Sequence, residues 1–301
     1  MNLETTVKAR EKRERTRNQT VAKSQILFRR VKAFSFVRRS FFALFAPFAG
    51  STAFSRMKHT LMLLALLVVG AFAQEPAPAP MKLFLLIGQS NMAGRGTVEP
   101  QDQVENPRIF MLTKDLKWVP AKDPLHFDKP GMAGVGPGSE FAREVLKADP
   151  KATIGLIPCA VGGTSLDQWK VGGPLYSAAV ARTREAMKQG KLAGILWHQG
   201  ESDSGSPDKV ASYAERFSVM IGQLRKDLQA EQVPVVLGEL IHGYKTNDSI
   251  NVELAATAKK VPQCGLVSSE GLGKKALHFD AADARKFGQR YAAGFLKLAK
   301  P

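Results

Sequence analysis

Five short apolar runs, each followed by a polar or glycine-rich break, constrain the fold of this 301-residue chain. Within each run the apolar residues are continuous rather than alternating, which is typical of strands buried on both faces of a sheet. Stretches of helical period separate the runs, and this alternation predicts an α/β fold. We expect a single three-layer domain over residues 81–301, with a five-stranded, mostly parallel sheet flanked by helices. Strands are predicted at 81–87, 153–160, 192–199, 233–240 and 264–270, helices at 139–148, 175–189, 210–229 and 281–300, and an irregular excursion at about 94–138.

Residues 57–73 have the three parts of a secretory signal peptide. A short basic start precedes an apolar run at 61–69, and the small residues Ala71 and Ala73 form a cleavage site. The run is too short to span a bilayer core, which needs about 20 apolar residues. We expect a secreted or periplasmic protein with no stable membrane anchor after cleavage. The Pro/Ala spacer that follows, residues 74–80, is expected to be extended.

The 56 residues before this signal are strongly basic, with 13 Lys/Arg against three Asp/Glu. Such a segment can be a nucleic-acid-binding arm or an organelle transit peptide. No helical or strand period persists in it, so the favoured interpretation is an unstructured or wrongly assigned start, with translation beginning at Met57. Because the segment supplies most of the net charge of +16, that charge does not indicate a nucleic-acid partner for the folded domain.

The sequence predicts no metal or cofactor site. His198 and Glu201 have the residue types of a metal pair, but no third ligand occurs at a suitable spacing. The two cysteines, Cys159 and Cys264, lie in apolar, strand-like segments and are expected to be buried free thiols.

A serine and a histidine stand where a parallel sheet places its ligand crevice, beyond the carboxyl ends of the strands. Ser90, in GQSNM, follows the first run, and a serine becomes nucleophilic when a base lies beside it. His278, in LHFD before the last helix, can reach Ser90 as that base. The plainer alternatives are a helix-capping serine and a surface or capping histidine. Asp280, with Asp283 three positions on, predicts a cap for the last helix.

Candidate hydrogen-bond donors for an oxyanion follow the second and third apolar runs. Gly162 and Gly163 follow the second run, where a backbone without Cβ can aim its N–H at developing charge. A tight turn is the plainer interpretation of the same pair. Gln199, at the end of the third run, offers a side-chain amide. Candidate carbohydrate-binding residues in neighbouring loops are His242, Tyr244 and Trp169, the last with core packing as an equal alternative.

The order serine, glycine, amide, histidine, each at the end of a strand, resembles that of the SGNH (GDSL-like) hydrolase superfamily. LLIGQSNMAGRG, GPGSEFA, AVGGTSLDQW, LWHQGESD and LHFDAA resemble the branch of sialate O-acetylesterase domains and family-six carbohydrate acetylesterases, over nearly all of 81–291. The resemblance implies a flavodoxin-like SGNH fold and a serine esterase that removes acyl groups, acetyl above all, from an acetylated carbohydrate without a cofactor. Sialic acid and xylan-derived sugars both remain open.

The resemblance also implies roles for individual residues. Ser90 would be the nucleophile and His278 the base. The oxyanion hole would combine the Ser90 amide, Gly162 or Gly163, and Gln199 in place of the asparagine usual in the superfamily.

One position departs from the superfamily, which generally has aspartate three residues before the histidine. Lys275 stands there, and a lysine cannot orient imidazole or stabilise imidazolium. We therefore predict Glu201 as the acid, at about 2.6–3.2 Å from a ring nitrogen of His278. Asp203 and Glu270 are reserve candidates, and a Ser–His dyad is a further possibility. Because of the lysine, a catalytically weakened carbohydrate-binding module on the same fold is the alternative function.

Overall fold

The computed structural model of the protein describes residues 80–299. The basic segment 1–56, the predicted signal peptide 57–73 and nearly all of the Pro/Ala spacer lie outside the described residues. Among the residues that are described, no helix is both long and apolar enough to cross a membrane.

A seven-stranded sheet forms the centre of the domain, with the strand order β3-β2-β4-β1-β5-β6-β7. All neighbouring strands are parallel except β2 and β3, which are antiparallel. The strands are β1 (Met81–Gly88), β2 (Ile109–Leu112), β3 (Trp118–Pro120), β4 (Ile154–Pro158), β5 (Gly190–His198), β6 (Val235–Gly238) and β7 (Cys264–Val267). The α-helices are α1 (Ser90–Ala93), α2 (Gly138–Ala148), α3 (Pro174–Ala186), α4 (Pro207–Ala211), α5 (Tyr213–Asp227), α6 (Asn247–Lys260) and α7 (Ala281–Leu298).

The α/β class and the five predicted strands are confirmed, but the predicted strand count was wrong because the sheet has seven strands. The two further strands, β2 and β3, lie in the segment predicted to be irregular. They have four and three residues and lie at one side of the sheet, beyond β4. Neither therefore carries the long apolar run that marks a strand buried on both faces. Helix α6 was also missed, because its buried apolar positions, Ile250 and Leu254, form only a narrow stripe.

Helices cover both faces of the sheet, and the side chains of β1 show how. Leu83, Leu85 and Ile87 point to the face covered by α3, α5 and α6, and Phe84 and Leu86 point to the face covered by α2 and α7. All five side chains are buried, which explains why the run is continuously apolar rather than alternating. Both cysteines are free thiols, as predicted, and are partly buried.

The strand order brings the candidate site residues to one edge of the sheet. β1 lies between β4 and β5, so the segments that follow these three strands are neighbours in space. They carry Ser90, the pair Gly162–Gly163 and Gln199, respectively. The segment before α7 adds His278 at the same edge, next to Ser90.

Candidate active site

Ser90 lies at a turn where β1 and β5 are in very close contact. Gly88 has a φ of 126°, and a Cβ at this position would lie 2.1 Å from the carbonyl oxygen of His198. Only glycine fits both constraints. The next residue, Gln89, donates its N–H to the same carbonyl at 2.8 Å. The chain then enters the single turn α1, which leaves Ser90 at the carboxyl edge of the sheet.

The structure brings His278 to Ser90. Nε2 of the half-buried imidazole lies 3.1 Å from Ser90 Oγ. Burial lowers the pKa of His278 below its usual 6.5, the charge of Arg95 lowers it further, and Glu201 partly opposes both. Two residues on, Asp280 accepts a hydrogen bond from the Asp283 N–H at 2.8 Å, which confirms it as the cap of α7. His278 is therefore held just before a capped helix.

Glu201 does not make the predicted contact with His278: no hydrogen bond joins the two among residues 80–299. Its carboxylate is instead turned inward, where Oε1 accepts from Asn91 Nδ2 at 2.7 Å and lies 3.5 Å from His198 Nε2. Burial acts to raise the pKa of Glu201, but His198 and Asn91 outweigh it and the pKa lies below its usual value. Glu201 is thus a buried carboxylate with no direct hydrogen bond to the imidazole within the described residues.

Neither reserve candidate, Asp203 nor Glu270, has a side-chain hydrogen bond to His278 within the described residues. Asp203 is buried and accepts hydrogen bonds from the Leu166 N–H at 2.9 Å and Gln199 Nε2 at 2.6 Å. Glu270 is exposed, and only its backbone groups take part in hydrogen bonds within the described range. Nor do three His, Cys, Asp or Glu side chains converge as metal ligands anywhere in 80–299, so His198 and Glu201 remain a pair.

Two of the predicted oxyanion donors are already engaged elsewhere. The Gly162 N–H donates to Asp128 Oδ2 at 2.8 Å. The buried Gln199 amide donates to Asp203 Oδ2, to the Thr164 carbonyl at 3.1 Å and to Gln89 Oε1 at 3.3 Å. A donor that satisfies a buried acceptor is not available to substrate, so the prediction for Gln199 was wrong and Gly163 is the member of the glycine pair that remains a candidate.

The Ser90 and Gly163 amides are the donors that remain. Neither N–H is donated to an acceptor within the part of the chain that the structure describes. Gly163 has a φ of 79°, a conformation that favours glycine. Within the pair, the Gly162 N–H holds the turn, and the Gly163 N–H remains a candidate oxyanion donor.

Asp128 and Arg95 support this turn, and sequence analysis assigned neither of them. Their side chains form an ion pair of 2.7 Å and are 1% and 5% exposed. Burial acts to raise the pKa of Asp128, but hydrogen bonds from Arg95 and Gly162 outweigh it and the pKa lies below its usual value. Arg95 belongs to the motif GQSNMAGRG and could have been noticed there. Asp128 lies in the irregular excursion, where no periodic pattern marks it.

Trp169 is a core residue, and its prediction as a carbohydrate-binding residue was wrong. It is 1% exposed, its indole N–H donates to Thr164 Oγ1 at 3.1 Å, and its ring packs edge-on against Trp197. An indole with a hydrogen-bond partner in the core is stable there and presents no face to a ligand.

His242 and Tyr244 lie on the loop after β6, at the same edge of the sheet as Ser90. His242 is exposed between Glu239, at 2.9 Å, and Asp248, at 3.0 Å. Burial acts to lower the pKa of His242, but the two carboxylates outweigh it, so the pKa lies above its usual value. Tyr244 is partly buried against the core. The loop adjoins residues 275–280, the histidine segment that carries His278, because the Lys275 side chain passes Gly243.

Comparison with known proteins identifies the family. The profile of the family described as carbohydrate esterase, sialic acid-specific acetylesterase, matches residues 80–297, nearly the whole described domain. The chain belongs to this family. The predicted relationship to the sialate O-acetylesterase branch is therefore confirmed, and the protein is a carboxylic ester hydrolase of the carbohydrate esterase class.

Individual relatives agree with this assignment. A probable carbohydrate esterase from Arabidopsis thaliana is 35% identical over 245 residues, which are 74% of this chain and 93% of the relative. The X-ray structure of the Arabidopsis protein superimposes with a TM-score of 0.68 at 32% identity, over 72% of this chain and 98% of its own. A carbohydrate acetylesterase from Xanthomonas citri shares the fold, with a TM-score of 0.57 at 19% identity over 72% of this chain and 56% of its own.

Proposed function

We propose that this carbohydrate esterase removes acetyl groups from an acetylated carbohydrate by a covalent serine mechanism. Ser90 is the nucleophile and His278 the general base. The observation that carries the proposal is the 3.1 Å contact between His278 Nε2 and Ser90 Oγ, since a serine requires such a base. Membership of the family supports an acetylated sugar as the substrate.

The first half of the reaction transfers the acetyl group to the enzyme. Ser90 Oγ attacks the acetyl carbonyl carbon while His278 Nε2 takes the hydroxyl proton. The N–H groups of Ser90 and Gly163 stabilise the oxyanion of the tetrahedral intermediate. Its collapse breaks the ester C–O bond, and His278 gives the proton to the departing sugar oxygen.

The second half returns the enzyme to its starting state. Water attacks the acetyl-Ser90 carbonyl and gives its proton to His278, and collapse then releases acetate and restores the Ser90 hydroxyl. His278 must be neutral whenever it accepts a proton. Burial and the charge of Arg95 keep its pKa low, so the neutral form predominates at neutral pH.

Acetate release tests the proposal. We expect the protein to release acetate from members of a panel of acetylated xylooligosaccharides and O-acetylated sialic acids, and the panel also identifies the sugar. Ser90→Ala should lower turnover by several orders of magnitude, because it removes the attacking oxygen and the catalytic residues of one site act as a unit. Retention of a tenth of wild-type activity would show that Ser90 only caps a turn.

A second serine supplies a matched control. Ser139, near the start of α2, is 5% exposed, whereas Ser90 is 6% exposed. Ser139→Ala removes an equally buried hydroxyl and should leave acetate release near the wild-type rate. A fluorophosphonate probe should label wild type and Ser139→Ala but not Ser90→Ala. Absence of labelling together with retained glycan binding would instead favour a carbohydrate-binding module.

We also propose that the mature protein is secreted or periplasmic. The support is the sequence of 57–73, with its basic start, apolar run and small-residue cleavage site. Amino-terminal sequencing of exported protein should begin at Gln74. Retention of residues 1–56 on the exported protein would contradict the proposal.

A further inference from the structure

Asn91, the residue after the proposed nucleophile, binds the backbone on both sides of the proposed base. Its Nδ2 donates to the Leu277 carbonyl at 3.1 Å, and its Oδ1 accepts from the Phe279 N–H at 3.1 Å. Those two residues flank His278 in the chain. Asn91 is itself buried, so water competes little for either bond. One planar amide therefore holds the histidine segment against the turn that carries Ser90.

This contact matters because His278 has few others. Within residues 80–299 its ring makes a single hydrogen bond, the one to Ser90. In that part of the chain no side chain bonds the opposite ring nitrogen, where a triad acid would stand. The imidazole is thus positioned chiefly by its own backbone. That backbone is anchored by Asn91 and by Phe279, whose ring packs on Phe287 in the core.

Glu201 determines which way the Asn91 amide points. An ionised carboxylate only accepts hydrogen bonds, so the amide nitrogen must face it. Glu201 Oε1 accepts from Asn91 Nδ2 at 2.7 Å, and Nδ2 uses its second hydrogen for the Leu277 carbonyl. The amide oxygen is then left for the Phe279 N–H. With the amide reversed, acceptor would face acceptor at Glu201 and at Leu277.

We propose that Asn91 is a positioning residue for His278 and that Glu201 acts chiefly through it, in place of an acid that contacts the imidazole ring. The proposal rests on the proposed function, in which Ser90 and His278 perform the chemistry. It assigns roles to the asparagine of GQSNM and the glutamate of HQGE.

Kinetics on a small acetyl ester, 4-nitrophenyl acetate, tests the positioning role without any need for carbohydrate binding. Asn91→Ala should lower kcat by about 10²-fold with little change in KM, because a displacement on the order of 1 Å at the reacting groups has this cost. The loss should be uniform across pH, because the variant keeps the charges of Glu201 and Arg95. A kcat near wild type would overturn the proposal.

Asn251 supplies the matched control. It is also buried and bridges backbone groups, accepting from the Leu240 N–H at 2.7 Å and donating to the Leu240 carbonyl at 3.0 Å. Among the described residues its side chain bonds only Leu240 and does not reach the histidine segment. Asn251→Ala should lower the thermal midpoint about as much as Asn91→Ala while kcat stays near wild type. If both variants lose kcat in proportion to stability, the role of Asn91 is merely structural and the proposal fails.

An exchange of the two polar groups tests the link to Glu201 and does not depend on an alanine variant that folds. Asn91→Asp places two carboxylates face to face and should lower kcat at least as far as Asn91→Ala. Adding Glu201→Gln restores a donor–acceptor pair with the original net charge. The double variant should recover about tenfold of kcat over Asn91→Asp, the worth of one hydrogen bond. No recovery would show that Glu201 does not act through Asn91.

Ser90→Ala, measured alongside, separates the two proposals. If Ser90→Ala is inactive and Asn91→Ala is fully active, the positioning role is wrong and the serine mechanism stands. If Ser90→Ala is active, the serine mechanism is wrong and the positioning role fails with it.

Discussion

Ser90 lies between two flanks that are held in place by different chemistry. On the oxyanion flank, the buried ion pair of Arg95 and Asp128 fixes the glycine turn, and each charge is compensated by the other. On the histidine flank, the neutral amide of Asn91 fixes the backbone, and the carboxylate behind it, Glu201, has no lysine or arginine partner among residues 80–299.

Because the two flanks differ in this way, substitutions on one should mainly affect stability and those on the other mainly catalysis. Breaking a compensated buried pair leaves an isolated charge in the protein interior, which mainly destabilises the fold. Removing the charge of Glu201, which has no lysine or arginine beside it in the described range, relieves some burial cost but takes away a charge that favours imidazolium. Substitutions on the oxyanion flank should therefore act first on unfolding, and those on the histidine flank first on turnover.

The largest effect on stability is expected for Asp128→Ala. It leaves the Arg95 guanidinium buried without its partner and should lower the free energy of unfolding by about 3–5 kcal/mol. Denaturant unfolding measures this loss. The half-exposed pair of Lys82 and Asp149 is the control, since Asp149→Ala should cost about 1 kcal/mol or less. Equal losses in the two variants would mean that the oxyanion flank does not depend on a buried charge pair.

Glu201→Gln should lower turnover strongly and the free energy of unfolding only slightly. It keeps the size of the side chain but removes the charge that orients the Asn91 amide and favours imidazolium, and turnover should fall by about 10²-fold, or about 2.7 kcal/mol in the barrier. The loss of unfolding free energy should be smaller than for Asp128→Ala. Steady-state kinetics and denaturant unfolding of the two variants, compared directly, test the contrast. A stable Asp128→Ala together with an unfolded Glu201→Gln would reverse it.

The pH dependence of turnover reports the charges on both flanks. Only neutral His278 accepts a proton, so kcat/KM should rise with pH through a midpoint below the usual histidine pKa of 6.5 and then level off. Burial and Arg95 lower this pKa and Glu201 raises it, so Glu201→Gln should move the midpoint to lower pH. A midpoint that rises in Glu201→Gln would contradict the assigned influence of the carboxylate.

The smallest effect is expected for Asp280→Asn, on the histidine flank but outside its hydrogen-bonded centre. Asp280 caps α7, and asparagine caps nearly as well, so the cost in unfolding free energy should be about 1 kcal/mol or less. Turnover should stay near the wild-type value. An inactive Asp280→Asn beside an active Glu201→Gln would move the catalytic acid into the loop before α7.

The sequence by itself determined the layers of the fold and the edge at which the site lies. Continuous apolar runs separated by amphipathic stretches leave few alternatives to a parallel sheet covered on both faces. The carboxyl ends of such strands share one edge, so Ser90 and His278 could be expected close together although they lie far apart in the chain. The edge strands β2 and β3 escaped notice because three or four residues carry too little pattern.

Only the tertiary structure decided which polar groups pair with each other. Gly162 and Gly163 are indistinguishable in sequence, yet Asp128 takes the N–H of one and leaves the other. Gln199 and Glu201 were both expected to face the reaction, and both are turned to buried partners instead. Differences of tenths of an ångström decide which buried donor pairs with which acceptor, and these positions are set by residues that are distant in the chain. A local sequence pattern therefore cannot predict the hydrogen-bond partners.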